Sequence, residues 1–516
     1  MTAGRITALI SRFRRDTKGN MVVIFAIATV PLITAVGCAT DYSMATRMKA
    51  KLQSAADTAS LASISVNSAG WTAASAMTSN GSVAAGVTES NNVFNGNAAT
   101  FSGYQNLSVN STVTKTGSTL TSTVNFSADV PVTFMKIAGW NTMHITGSSN
   151  SNSSLPLYLD FYLMLDVSGS MGLPSTSDEA VRMQNINPDN YRQYPTGCTL
   201  ACHFAPQNSA CTDTGTQGYP TNNYCMGYAI SRVSQSGYAA LLQTNTNNPM
   251  RKQLPSSVVS SLPNLPLTSV ANCQTAGTDS CIQLRLDAVG YAVTQLFATA
   301  NAKAAVANQF RIGLYPFIQY LYSYFPLTSS INGSQSNSST INYAAANLAT
   351  LLDTNINANL GSGGTHIDTA INSMNGLITS VGTGIASNNT LPYVFLVTDG
   401  AQDPQTKGVP NGGWAGSNHA TTIDPTICNT MKNRGIKISV LYIPYVPINP
   451  VNASFAGDED DAANNNIPNI PASLSGCASP ADTAGSYFYT ANTPDDITNA
   501  LKAMFNHALT VAHITN

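Results

Sequence analysis

The stretch LMLDVSGSMG, Leu163–Gly172, decides the fold, because an apolar run ends in a carboxylate and two hydroxyls at alternate positions. In an extended segment, side chains at i, i+2 and i+4 share a face, so Asp166, Ser168 and Ser170 are expected to converge on one point. Taken alone, Ser-Gly-Ser after a strand also reads as a simple turn with Asp166 capping it. Tyr158 to Leu165 ahead of it is apolar enough for a strand buried on both faces, which is what a parallel sheet requires.

Downstream, helical and strand patterns alternate. RLDAVGYAVTQLFATANAK, HIDTAINSMNGLITSV and ITNALKAMFNHALTV read as helices, while FRIGLYPFIQY, PYVFLVTDG and SYFYT read as strands, and ICNTMKNRGIKISVLYIP reads as a helix then a strand. Alternating units of this kind imply an α/β fold with a doubly wound, Rossmann-like sheet. Ligands in such sheets bind at the carboxyl ends of the strands, where Asp166 and Asp399 both stand.

The 516-residue chain as a whole is 43% hydrophobic and only 9% charged, a texture that suits an exported protein. Gly19 to Thr40 carries no charge and is long enough to cross a bilayer, and Arg5, Arg12, Arg14, Arg15 and Lys18 precede it. Residues 1–18 are therefore expected in the cytoplasm, residues 19–40 in the membrane and the remainder translocated. A cleaved signal peptide is the rival, with small residues at Ala35-Val36-Gly37 and a lipoprotein-like Cys38. The apolar run exceeds the roughly 7–15 residues of a signal peptide's core, which favours an uncleaved anchor.

Residues 41–66 continue as a stalk helix with a narrow stripe of Met44, Met48, Leu52, Ala55, Ala59 and Ala62. Residues 67–154 read as a β-rich, pilin-like region, with an antiparallel meander from about Val83 to Ser149 and GSSNSNSS (147–154) as a polar linker. The final part, 155–516, is the large domain.

Two resemblances add to this. KGN before the span and R-x-K-x-K-L-Q-x-A-A-D-x-A-x-L-A from Arg47 to Ala62 are similar to the N-terminal module of TadE/TadG-like proteins of the tight-adherence (Flp) pilus assembly system. TadG-type members, with a large extracytoplasmic domain, are the better match. TadE-type processing expects a glutamate five residues after the cleaved glycine, where Gly19 is followed by Ile24. The large domain resembles von Willebrand factor A (VWA) domains with a metal-ion-dependent adhesion site, whose pattern is D-x-S-x-S, a distant Thr and a distant Asp. Asp166, Ser168 and Ser170, Thr365 in SGGTHID and Asp399 in LVTDG match it in order. The resemblance implies that Ser168, Ser170 and Thr365 coordinate a divalent cation directly, with Asp166 and Asp399 acting mostly through waters. Hard oxygen donors suit Mg²⁺ or Mn²⁺, and neutral hydroxyls leave positive charge for a partner's carboxylate. Asp403 reads as a solvated loop acid or a support to the site, and His366 as a helix-start residue.

One departure from the VWA pattern is the insertion 173–281 at the rim of the site. It carries Cys198, Cys202, Cys211, Cys225, Cys273 and Cys281, and Cys428 and Cys477 follow. These eight read as disulfides of an oxidising compartment, with Cys273–Cys281 and Cys428–Cys477 paired by proximity and domain order. Zinc and haem are the alternatives, although GCTLACHF has one residue too many for a C-x-x-C-H haem motif.

Beyond the stalk acidic residues outnumber basic ones, which argues against nucleic-acid binding. Asp458–Asp461 reads as a solvated loop or as a carboxylate for a neighbouring copy's metal. No P-loop, G-x-S-x-G or H-E-x-x-H motif is present. The expected function is a non-enzymatic pilus assembly component of the bacterial inner membrane, single-pass, with its C-terminal domain in the periplasm and pilus or envelope proteins as partners. A cell-surface adhesin for host or matrix ligands is the first alternative, and a redox or hydrolytic enzyme using the cysteine-rich insertion the second.

Overall fold

The computed structural model describes residues 20–186, 273–278, 281–353, 357–409, 412–445, 447 and 461–514. The chain divides into two compact units, Met1–Leu155 and Pro156–Asn516.

The first unit is organised by one long helix, α1 (Asn20–Ala62). Its first half exposes Met21, Val22, Ile24, Phe25, Ile27 and Leu32, as a lipid-facing segment would. Its second half buries Ala45, Met48, Leu52, Ala55, Ala56 and Ala59. The stripe therefore starts at Ala45, while Met44 is exposed, and the helix stops at Ala62 rather than Val66. Next come α2 (Ala69–Ala76), β1 (Gly81–Ser82) and α3 (Ala84–Ala98), then β2 (Gln105–Thr116), β3 (Thr119–Pro131) and β4 (Thr142–Ser154) in an antiparallel sheet of order β1-β2-β3-β4.

Two expectations are corrected here. Residues 84–98, expected in the meander, form a helix whose buried residues Gly86, Ser90, Phe94 and Ala98 recur every fourth position. GSSNSNSS is no linker but the end of β4, paired with β3 along its length. Its strand signal is polar: Ser149 and Ser151 turn inward, their hydroxyls 2.9 and 2.7 Å from that of Ser60 on α1. Buried hydroxyls that pair with one another offset their desolvation, so a Ser-rich strand packs on a small-residue helix.

The second unit starts with β5 (Leu159–Asp166), buried at every residue. Then follow α4 (Ser177–Ile186), α5 (Arg285–Lys303), β6 (Phe310–Phe317), β7 (Phe325–Thr328), α6 (Ile367–Leu377), β8 (Leu391–Thr398), β9 (Lys437–Tyr442), α7 (Ile470–Cys477), β10 (Phe488–Thr490) and α8 (Pro494–Ile514). The sheet order is β10-β9-β8-β5-β6-β7, parallel except for the edge strand β7. Strands β5, β6 and β8 are buried on both faces, which requires cover on both sides of the sheet. The chain runs from β5 outward through β6 and β7, then returns to β8 on the other side of β5. That reversal is the switch point of a doubly wound sheet.

The segment 173–281 leaves and re-enters through a narrow neck. Arg285 N donates to Leu173 O at 2.8 Å and Ser175 N to Gln283 O at 2.9 Å. Fully buried Glu179 on α4 accepts from the amides of Gly277 and Gln283 at 2.7 and 2.6 Å and pairs with Arg182. Arg182 also donates to the carbonyl of Thr278. Cys273–Cys281 closes the exit side, and Cys428–Cys477 joins the start of a short helix to α7. Cys198, Cys202, Cys211, Cys225 and Asp458 to Asp460 lie outside the described residues, and Cys38 on α1 is free.

The C-terminal helix is held to the sheet by a polar clamp. Asp482 accepts from the Tyr487 hydroxyl at 2.8 Å and lies 2.9 Å from His507 Nε2, while His507 Nδ1 lies 3.1 Å from the Tyr489 hydroxyl. Burial pushes the Asp482 carboxyl up, but the His507 and Tyr487 hydrogen bonds overcome this and hold it at about 2. A depressed carboxyl stabilises the fold above its unfolded pKa of about 4 and stops doing so as pH falls through the folded value. Asp482→Asn is therefore expected to lose roughly 1–2 kcal/mol at pH 7, with the gap closing between about pH 4 and pH 2. Denaturant unfolding at both ends of that window checks it, and a gap independent of pH would contradict it.

Candidate functional site

Asp166 closes β5 and Asp399 directly follows β8, so the two carboxylates stand at the ends of adjacent strands beside the switch point. Both are fully buried. Asp166 is the organiser. Its Oδ1 accepts from the amide and hydroxyl of Ser168 at 3.0 and 2.6 Å, and its Oδ2 from the hydroxyl of Thr398 at 2.6 Å. The Ser168 and Ser170 hydroxyls lie 3.1 Å apart.

The three oxygens converge as expected, though by a different route. Ser168 is still extended after the strand, but Gly169–Gly172 forms a 3-10 turn that brings Ser170 back towards Ser168. Strand alternation ends at Asp166 because the sheet does.

Thr365 lies on the loop ahead of α6, where His366 is the helix-start residue. His366 N donates to Ile318 O at 2.9 Å and Asp403 N to Thr365 O at 3.0 Å. Asp353 ties this loop to the Asp166 turn: its carboxylate accepts from Gly363 N at 3.0 Å, and its own amide donates to Val167 O at 3.0 Å. The loop is thus placed at the carboxyl ends of β5 and β6. Thr365 is 6% exposed. Asp403 is half-buried, and its carboxylate accepts from Gln405 N at 2.9 Å.

The close approach of this loop to 403–405 requires glycine. A Cβ on Gly364 would strike the carbonyl of Asp403 and come within 2.6 Å of that of Gln405. Backbone cannot yield as a flexible side chain does, so Gly364→Ala must displace Thr365. If Thr365 is a cation donor, Mn²⁺ affinity falls by about tenfold or more with a stability loss of about 1–3 kcal/mol. Titration and thermal unfolding of the same variant separate the two effects.

Asp399 is the anomaly of the site. Neither of its buried oxygens meets a hydrogen-bond partner among the described residues, while Ser170 and the amide of Ala401 lie near enough to hold its carboxyl down slightly. Burial pushes its carboxyl up, the nearby Asp166 adds to this, and Arg285 opposes both. Burial likewise raises Asp166, against the hydroxyls that hydrogen-bond it. Arg285, the first residue of α5, places Nη1 3.9 Å from Asp399 Oδ2 and donates from Nη2 to Pro444 O at 3.2 Å. The Tyr445 phenol is pushed up by burial and by the charge of Asp399. Thr398, Arg285, Asp353 and Tyr445 were not singled out from the sequence. Only Thr398 carried a signal, as the neighbour of Asp399 at a strand end.

The donor set fits a hard divalent cation. Buried carboxylate oxygens without partners are costly unless something else satisfies them. Here they lie close to Ser170 and Asp166, within the same set of strand-end oxygens. Arg285 also satisfies part of that charge.

The fold and site define a modular chain of mixed α/β architecture, with a long apolar N-terminal helix and disulfides, and with a carboxylate–hydroxyl cluster at the switch point of its larger sheet. Residues 19–74 match the family model for putative Flp pilus-assembly TadE/G-like proteins, so this segment is a TadE/G-like module. No curated protein matches the sequence closely enough to serve as a relative. Among solved structures, the chain is similar to the pilus adhesin SpaC from Lactobacillus rhamnosus GG, with 11% identity, TM-score 0.31, and coverage of 80% of this chain and 34% of that one. It is also similar to proximal thread matrix protein 1 from the mussel byssus, solved with a zinc-occupied MIDAS motif, with 17% identity, TM-score 0.25, and coverage of 43% of each chain. The PilB minor pilin from Streptococcus sanguinis is a third, with 9% identity, TM-score 0.30, and coverage of 78% of each. The chain thus spans well under two thirds of the first two proteins.

Proposed function

We propose that this protein is a single-pass, inner-membrane component of Flp pilus assembly with a periplasmic VWA-type domain (155–516). Its role is non-enzymatic: it holds a pilus or envelope partner by an Asp or Glu of that partner. The observation that carries this reading is the buried Asp399 carboxylate, without a hydrogen bond at either oxygen among the described residues, beside Asp166, Ser168 and Ser170 at the switch point. The TadE/G-like module supplies the pilus context. Ser168, Ser170 and Thr365, supported by Asp166 and Asp399, would hold Mg²⁺ or Mn²⁺. Such an ion keeps residual positive charge when most of its donors are neutral hydroxyls, and so attracts a carboxylate.

This chain's own residues prepare the site. Asp166 aligns Ser168 and Thr398 through three hydrogen bonds, and Asp353 fastens the Thr365 loop to Val167. Arg285 offsets part of the negative charge, which keeps the metal-free site tolerable and weakens its hold on the ion.

The test is piliation of a deletion strain complemented with wild type or with the Ser168→Ala/Ser170→Ala double variant. Wild type restores pili, whereas the variant reaches the same membrane level and does not. Full piliation of the deletion strain, with only attachment lost, would refute the assembly reading and favour an adhesin.

A further inference from the structure

The turn joining β3 to β4, residues 132–141, carries an apolar surface that nothing among the described residues of its own unit covers. Ile137 is 72% exposed, Trp140 60% and Phe134 37%, with Lys136 exposed between them. An exposed cluster of this kind on a small sheet needs an explanation. Its position supplies one.

The turn is fastened to α1 at the end of the charge-free run. Buried Asp41 accepts from the amides of Thr133, Phe134 and Met135 at 3.0, 2.8 and 2.8 Å. Four residues earlier, Gly37 is buried against Phe134, and a Cβ there would lie 2.5 Å from Phe134 Cβ and Cγ. At 1.5 Å per residue, Phe134 thus reaches about 6 Å past Asp41 towards the membrane side of the helix. Tyr42, 65% exposed, lies on α1 directly after Asp41.

We infer that the 134–140 turn is a second membrane contact: it lies in the bilayer interface beside the span, with Ile137 and Trp140 among the outer acyl chains and headgroups. Tryptophan and tyrosine favour that layer, and a lysine there extends its amine to the headgroups. Apolar groups seated about 5–10 Å into the boundary are the usual depth for interfacial elements. The occupant is lipid because the apolar surface is continuous with the lipid-facing half of α1. One helix alone leaves the sheet free to swing about its axis. A second contact point fixes which face of the sheet looks away from the membrane.

The inference rests on α1 being a membrane span, so the experiment reads both. The full chain is reconstituted in vesicles of plain lipid, or of lipid brominated near the headgroup or deep in the acyl chain. The Trp140 signal is the difference between wild type and Trp140→Phe, and a Phe25→Trp variant reports the span. The expected result is deep-lipid quenching of the residue-25 tryptophan and loss of about a third or more of Trp140 emission with shallow bromines. A quenched span with Trp140 unaffected and open to aqueous acrylamide overturns the inference alone. A quenched span with Trp140 shielded from acrylamide only at high protein density also overturns it, and assigns the turn to a second copy. Quenching at neither position overturns the anchor reading and this inference with it.

Discussion

Asp399→Ala is expected to abolish Mg²⁺ and Mn²⁺ binding to the full chain, weakening it at least about 100-fold, while leaving the metal-free fold close to wild type in stability. The two halves follow from one fact. The Asp399 oxygens make no hydrogen bond within the described residues, so truncation breaks none. Arg285 retains its bond to Pro444. Asp166→Ala should match the loss of binding and differ in stability, because it strips partners from the Ser168 amide and from the Ser168 and Thr398 hydroxyls. Leaving such groups unmatched in a buried site costs about 2–4 kcal/mol in total. Calorimetric titration with chelator-treated protein, paired with thermal unfolding, reads both quantities. If the metal-free Asp399→Ala protein unfolds as early as Asp166→Ala, Asp399 is part of the scaffold and the cation reading loses its main support.

The second large effect is structural. Replacing Cys428 and Cys477 together by alanine should cost about 4 kcal/mol, the chain-entropy value for a ring of this size, given a sequence separation of 49. Cys273–Cys281, separated by 8, should yield less. The larger bridge also bears on the site. It pins α7, whose Leu474 would lie 2.6 Å from a Cβ on Gly400, the residue after Asp399, where φ is +82°. Loss of the bridge should therefore lower the unfolding temperature and weaken Mn²⁺ binding together. Unchanged unfolding in the double variant would show that the bridge contributes nothing to the fold.

The larger sheet was legible because its strands are continuous apolar runs and its helices have wide stripes. RLDAVGYAVTQLFATANAK matches α5 residue for residue, and the Cys273–Cys281 and Cys428–Cys477 pairs are both present. The edge strand β7 escaped, being four residues long and only partly buried. The first unit was harder to read. Its α1–β4 seam includes Ser-to-Ser contacts, so polar β4 looks like a linker, and α3 shows its spacing only through Gly86, Ser90, Phe94 and Ala98. For the site, all five residues of the motif could be named from local strings. Arg285 could not, because it reaches Asp399 from the far side of the insertion, and that proximity exists only once the neck has closed.

The neck has a consequence for how such a chain can diverge. Where two ends of an insertion meet on neighbouring backbone, the sheet behind them follows the same path whether three residues or a hundred lie between. Because the entropy of closing a loop rises only slowly with its length, growth or replacement there costs the parent fold little. Leu173–Ser175 and Gln283–Arg285 therefore act as a graft junction. Descendants of one ancestral chain can exchange everything distal to it and still inherit an intact strand-end cluster.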